Sequence, residues 1–442
     1  MYRFSWSYIK EKWADAGFQK YFKNTGWLFA AQIFSMGASF IATIIIARKL
    51  GPGNFGQLSY AVSFISIFSI LATLGIDNIL YRDLIKHPEK KKEYLGTALT
   101  IKLIASFITA ILVCIFAFYF GQDDVSKILI AILSIGLIFN AFQIINFEFQ
   151  AQVKSKYPSI ISCIANFTVN ALEVMVILTG RGVIYLAIVA TFGSILSAIL
   201  YWYFYEKKIE GKLFSWKFDK NIAKNLLRDS WPLIFTGGFT LVYARIDQVL
   251  IKNMLGASQV GIYGVAVILA EVWNFIPGIL VSSFFPAIIN AKKTSEEIYY
   301  ARLKKLSLLL LSLAIIISLS MTVLSSFFIH LIYGQAFMGA SIILQIYVWS
   351  SVGTFLGVLA SNYLITENNQ KTLIFMTFIP MVINVILNIW WIPKYGIVGS
   401  AYATLISYSF GPLTLLLFKK TRGDIKKIFM AKNYQVSIAD KK

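Results

Sequence analysis

The sequence predicts an all-α polytopic membrane protein, with twelve transmembrane helices in two pseudo-symmetric six-helix bundles around a central cleft. Three observations predict it. Of the 442 residues, 57% are hydrophobic and only 14% charged, which leaves too little polar surface to cover a soluble fold of this size. Apolar runs long enough to cross a hydrocarbon core of about 30 Å recur twelve times. The basic residues fall between those runs, so the net charge of +20 reads as membrane topology and not as a nucleic-acid footprint.

Residues 1–23 mix Trp, Tyr and Phe with Lys and lack both a long apolar core and a small-residue cleavage site, so they read as a cytoplasmic interfacial amphipathic segment. Apolar runs follow at about 24–47, 57–80, 95–120, 128–148, 158–179 and 183–205, giving an N-terminal six-helix bundle over 24–205. A basic cytoplasmic linker spans 206–230. Runs at about 231–255, 262–289, 306–332, 340–365, 372–392 and 396–418 build a C-terminal bundle over 231–418, and 419–442 is a basic cytoplasmic tail. With the N-terminus inside, the inner segments hold 33 Lys plus Arg and the outer segments five, an asymmetry that places both termini in the cytoplasm. The outer loops are too short for an extracytoplasmic domain.

Both halves open alike. LGPGNFGQLSYAV at 50–62 answers LGASQVGIYGVAV at 255–267, an internal repeat whose two copies insert with the same orientation because six spans separate them. In the seventh span Arg245, Asp247 and Lys252 interrupt the apolar sequence. A charge at mid-bilayer costs about 2.5 to 3.5 kcal/mol, so these residues should face protein or a water-filled cavity. At helical spacing Arg245, Gln248 and Lys252 share one face, and Thr236, Thr240, Tyr243 and Asp247 another. Arg245 lies about 18 Å into the core, while Lys252 can snorkel to the far interface. A buried Arg245/Asp247 pair that only fixes helix packing is the alternative.

Polar stripes elsewhere fit a cleft: Ser59, Ser63, Ser66, Thr73 and Asp77 in the second span, and Ser159, Ser162, Asn166, Asn170 and Glu173 in the fifth. Most such positions would cement helix contacts, but Glu173 and Glu271 are carboxyls deep in apolar runs, either packing groups or proton carriers. Lys102 lies close enough to the inner surface to snorkel. Cys114 and Cys163 offer no disulfide framework or CxxC site, His87 and His330 are isolated, and no phosphate-binding GxxxxGK[ST] loop occurs.

ARKLGPGNFG at 47–56, ARIDQ at 244–248 and NVILNIWWIPKYGIVGSAYATLISY at 384–408 resemble the polysaccharide-exporter branch of the multidrug/oligosaccharidyl-lipid/polysaccharide flippase superfamily, closest to the Wzx-type O-antigen flippases. The resemblance implies a flippase, not an enzyme, in the bacterial cytoplasmic (inner) membrane. Its substrate would be an undecaprenyl-diphosphate-linked oligosaccharide, an O-antigen or capsular repeat unit, moved from the cytoplasmic to the outer leaflet by alternating access. It implies no cofactor beyond a coupling ion, H⁺ or Na⁺, and as partners the lipid bilayer, a glycan polymerase and a chain-length regulator, with no nucleic acid. Arg48 and Arg245 with Asp247 are the positions carried over from its motifs. The diphosphate and glycan cavity would then be lined by Arg245, Arg48, Lys252, Gln248, Asn166 and Asn170. Asp247, Glu271 and Glu173 are the ion-coupling candidates.

Twelve spans, where lipid II flippases have fourteen, argue against that sister group. Cation-coupled multidrug efflux would want an acidic, aromatic cavity without a central Arg. A membrane glycan polymerase or ligase would want a large outer loop, for which the chain has no room, and a scaffold would leave the interior charges without a purpose.

Overall fold

The computed structural model describes residues 16–120, 123–209 and 215–430. Residues 1–15 of the expected interfacial segment, 210–214 of the linker and 431–442 of the tail lie outside the described residues. Helices fill nearly all of the described chain, and no strand occurs there. In order they are α1 Ala16–Thr73, α2 Asp77–Lys86, α3 Lys91–Phe120, α4 Asp124–Asn140, α5 Ile144–Ala151, α6 Lys156–Leu178, α7 Val183–Lys208 and α8 Lys220–Leu255. Then come α9 Ala257–Glu271, α10 Phe275–Lys292, α11 Glu296–Tyr333, α12 Ala340–Tyr347, α13 Ser350–Thr366, α14 Gln370–Leu413 and α15 Lys419–Met430.

Local sequence sets several of these ends. Ser295 caps α11 by accepting from the Glu297 and Ile298 amides, with Glu296 and Glu297 in the first turn where the helix dipole favours negative charge. Asp123 caps α4 and Asn369 caps α14 in the same way.

Among the described residues, ten stretches are long and apolar enough to cross a membrane. The twelve apolar runs fall on ten stretches because Gly26–Lys86, of 61 residues, and Gln370–Leu416, of 47, each hold two runs. Each is far longer than the roughly 20 residues of one crossing. Gly51 and Gly396 break the helical geometry inside them. Gly51 and its repeat mate Gly256 have φ of +69° and +89° with extended ψ, a region open essentially to glycine alone.

The chain forms two compact units, one of Met1–Leu50 with Tyr60–Gly238, the other of Gly51–Ser59 with Phe239–Lys442. In the first, α4 packs on α3 and α7, and α6 on α7, while Ile76, Leu80, Leu95, Ile145, Phe149 and Tyr205 belong to one buried core. In the second, α13 packs on α14 and α11 on α12, with a core that includes Phe285, Tyr299, Leu303, Leu310, Phe355 and Leu364.

Inside the second unit the repeat closes on itself. A methyl group at Gly56 would lie 1.8 Å from the Ala257 carbonyl oxygen, and one at Gly261 would lie 2.0 Å from the Pro52 carbonyl oxygen. Positions 52 and 257 correspond in the repeat, as do 56 and 261, so each copy places its glycine against the backbone of the other. Only glycine allows this approach.

Candidate functional site

Arg245 and Asp247 of α8 are held by side chains of α9, the helix that follows it. Arg245 Nη2 lies 3.3 Å from Glu271 Oε2, at the last residue of α9, and the Tyr347 hydroxyl donates to Glu271 Oε1 at 3.0 Å. A third of the Arg245 side chain stays exposed, against 23% for Glu271, so the guanidinium is anchored on one side and open on another. After Glu271 the helix tightens into a 3₁₀ turn, Val272–Asn274, before α10. There Trp273 Nε1 and Asn274 Oδ1 are shielded from solvent and have no hydrogen-bond partner among the described residues.

Asp247 has a different environment. It is 1% exposed, and its carboxylate accepts the Tyr263 hydroxyl and the Gln248 amide, each at 2.7 Å. Tyr263 also lies 3.3 Å from Thr404 Oγ1. A ladder continues along α14: Asn384 Nδ2 donates to Ser407 Oγ, Asn388 Nδ2 to the Asn384 carbonyl, and Ser400 Oγ to Asn388 Oδ1 at 2.6 Å. All of these donors and acceptors are buried, and such a network fixes one arrangement because every unmade bond would cost about 1 to 3 kcal/mol. Its donor set is entirely oxygen and amide, which suits a proton or a hard alkali cation and not a thiolate-seeking metal. Among the described residues, no three His, Cys, Asp or Glu side chains gather as metal ligands.

The packing pair considered from sequence, Arg245 with Asp247, does not form. Residues two apart on a helix point roughly 200° apart, so Arg245 turns to Glu271 while Asp247 turns to Tyr263. Gln248 and Lys252 are buried, at 5% and 7% exposure. Lys252 therefore does not extend to a surface as snorkelling would require. Lys102 departs in the same way: it is 2% exposed, and its Nζ donates to Asp77 Oδ1 at 2.7 Å, because the start of α2 supplies a carboxylate that a depth count along one helix cannot foresee.

In the other unit Asn166 donates to Ser162 at 3.1 Å, within α6, and Asn170 to Ser39 at 3.2 Å. Glu173, half-buried one turn further on, makes no hydrogen bond or ion pair among the described residues. Arg48 is exposed. The structure thus gathers Arg245, Asp247, Gln248 and Glu271 in one unit, and sets Asn166, Asn170 and Glu173 along one helix of the other. Sequence reasoning missed Tyr263, Tyr347 and the Asn384–Ser407 ladder. The Asn384/Asn388 pair at i, i+4 was a usable signal, since two amides on one face of an apolar helix need partners.

The family model described as "Polysaccharide biosynthesis protein" matches residues 21–292, and that described as "Lipid II flippase MurJ" matches residues 182–439. The capsular polysaccharide biosynthesis protein CapF of Staphylococcus aureus is 22% identical over 409 residues, covering 90% of this chain and 99% of the relative. The probable low-salt glycan biosynthesis flippase Agl15 of Haloferax volcanii is 25% identical over 389 residues, covering 86% and 80%. The lipid II flippase MurJ in its inward closed conformation superposes with a TM-score of 0.68 at 21% identity, over 90% of this chain and 89% of that one. The lipid II flippase likeness, which the span count argued against, is thus present in the second half of the sequence and in the fold. The chain belongs to the polysaccharide biosynthesis protein family, within the polysaccharide-flippase branch of the multidrug/oligosaccharidyl-lipid/polysaccharide flippase superfamily.

Proposed function

We propose that the protein flips an undecaprenyl-diphosphate-linked oligosaccharide, an O-antigen or capsular repeat unit, from the cytoplasmic to the outer leaflet of a bacterial inner membrane by alternating access. Relatives named as a capsular polysaccharide protein and a glycan flippase support the substrate class. The observation that carries the reading is the one-third-exposed Arg245, held from one side by Glu271, itself bonded to Tyr347, in a helix that reads as membrane-spanning. An oriented guanidinium with open N–H donors is suited to a diphosphate, which can take two parallel hydrogen bonds from it. Arg48, Lys252, Gln248, Asn166 and Asn170 complete the substrate set in this reading. A central Arg also disfavours the export of cationic drugs.

We assign coupling to H⁺ or Na⁺ to the carboxylates Asp247, Glu271 and Glu173, with the oxygen-rich surroundings of Asp247 as the best-built of the three. Cytoplasmic termini follow from the basic-residue asymmetry, and a glycan polymerase and chain-length regulator would take up the product.

Glycan export and membrane abundance measured together across Arg245→Lys, Arg245→Gln and Arg245→Ala test the reading. Export should fall in that order, by about tenfold or more for Ala, at similar abundance, as expected when a charge-assisted bond worth about 1.5 to 3 kcal/mol is lost. Abundant, export-competent Arg245→Ala protein would sink the diphosphate role. Loss of abundance that Glu271→Ala restores in the double variant would make the pair structural.

A further inference from the structure

In the second unit, α11, α13, the end of α14 and α15 enclose a groove of about 520 Å³, within the range of small-molecule sites. Its walls include Leu303, Leu308, Leu311, Leu356, Pro412 and Ile428. Leu308, Leu413 and Leu416 on its lining are 51%, 49% and 41% exposed, so it opens sideways, on helices that read as membrane-spanning.

The few polar groups that line it are already engaged inside the protein. Asp424 accepts the hydroxyls of Tyr300 and Tyr363, Lys304 donates to the Phe429 carbonyl at 2.9 Å, and Ser307 and Ser409 donate to carbonyls one turn back in their own helices. A sugar or phosphate placed inside would find too few free groups to replace the hydration it loses. The occupant must be hydrocarbon.

The helix that closes one end is strongly basic. Lys419, Lys420, Arg422, Lys426 and Lys427 of α15 are all exposed, Ile425 and Ile428 pack against the core, and Phe429 and Met430 are 72% and 78% exposed. That is the pattern of a helix lying in a membrane interface with its cations toward lipid phosphates. Residues 431–442, AKNYQVSIADKK, follow directly but are too polar to fill an apolar groove.

We propose that this groove is a binding site for one acyl chain of an anionic glycerophospholipid, whose phosphate rests on the basic face of α15. The lipid comes from the leaflet on the side of α15. The site belongs to the resident bilayer and not to the transported substrate, and it stands whatever the chain carries across.

Full-length protein, purified from a bilayer of phosphatidylethanolamine and phosphatidylglycerol and examined by native mass spectrometry, should retain phosphatidylglycerol. Leu356→Trp, or Leu308→Trp should the first fail to fold, fills the groove and should cut retention about tenfold at an unchanged melting temperature. Lys420→Gln with Lys426→Gln should leave a lipid bound but reduce the preference for phosphatidylglycerol several-fold. Undiminished retention in a folded groove-filling variant overturns the proposal. So does a retained prenyl lipid in place of the phospholipid, or retention that rises when the chain is cut after Met430, which would make the tail the occupant.

Discussion

Glu271 and Glu173 look alike in the sequence, each a carboxylate set in an apolar run, yet their surroundings differ. Glu271 is gripped by Arg245 and Tyr347, and its neighbour Asp247 by Tyr263 and Gln248, whereas Glu173 is half-buried without a partner among the described residues. The second unit holds these charges in place before any ligand arrives, and a fixed donor loses little freedom on binding. The stripe on α6 holds its polar groups only through serine hydroxyls, at 3.1 and 3.2 Å, and leaves its one carboxylate free to respond to what enters. One region looks built to orient, the other to adapt.

The contrast breaks or sharpens under substitution. Asp247→Ala should be the most damaging, because it removes the carboxylate that accepts the Tyr263 hydroxyl in a site with almost no solvent, a loss of roughly 2 to 4 kcal/mol. Thermal unfolding of the purified protein reads it, and wild-type melting would show that the network is not the rigid part. Glu271→Ala should cost less, about 1 to 2 kcal/mol, since both it and Arg245 keep some solvent contact. A double-mutant cycle with Arg245→Ala should return a coupling of about 0.5 to 1.5 kcal/mol, and strict additivity would mean that the ion pair holds nothing. Glu173→Gln should change stability by less than about 0.5 kcal/mol while flattening the dependence of export on the proton or sodium gradient. Melting as poor as that of Asp247→Ala would erase the distinction between the two regions.

Particular residues show how far the sequence could be read. The helical class, the apolar runs and the repeat at 50 and 255 were open to inspection because length, hydropathy and identity are local properties. Arg245 could be singled out because its cost in a bilayer does not depend on the fold. Its partner could not, since Glu271 lies 26 residues away and the choice between it and Asp247 turns on which way two helices face. Lys102 failed for the same reason: depth along α3 suggested escape to the surface, while Asp77, 25 residues earlier, waited beside it. Tyr263 and Tyr347 were hidden by their type, because a tyrosine in an apolar run is most often core and its hydroxyl shows its worth only against a placed carboxylate.

The reciprocal glycine contact bears on how the chain is made. Residues 51–59 count with the second unit, yet they emerge from the ribosome about 200 residues before Ala257 and Gly261. At ordinary synthesis rates of about 5 to 20 residues per second that is a wait of roughly 10 to 40 seconds. Through it the Pro52 carbonyl and the bare flank of Gly56 have no mate. A growing chain would hold this surface ready for a wrong neighbour, a second nascent copy among them, and insertion factors that shield the first hairpin should matter more for this protein than for one whose halves mature independently.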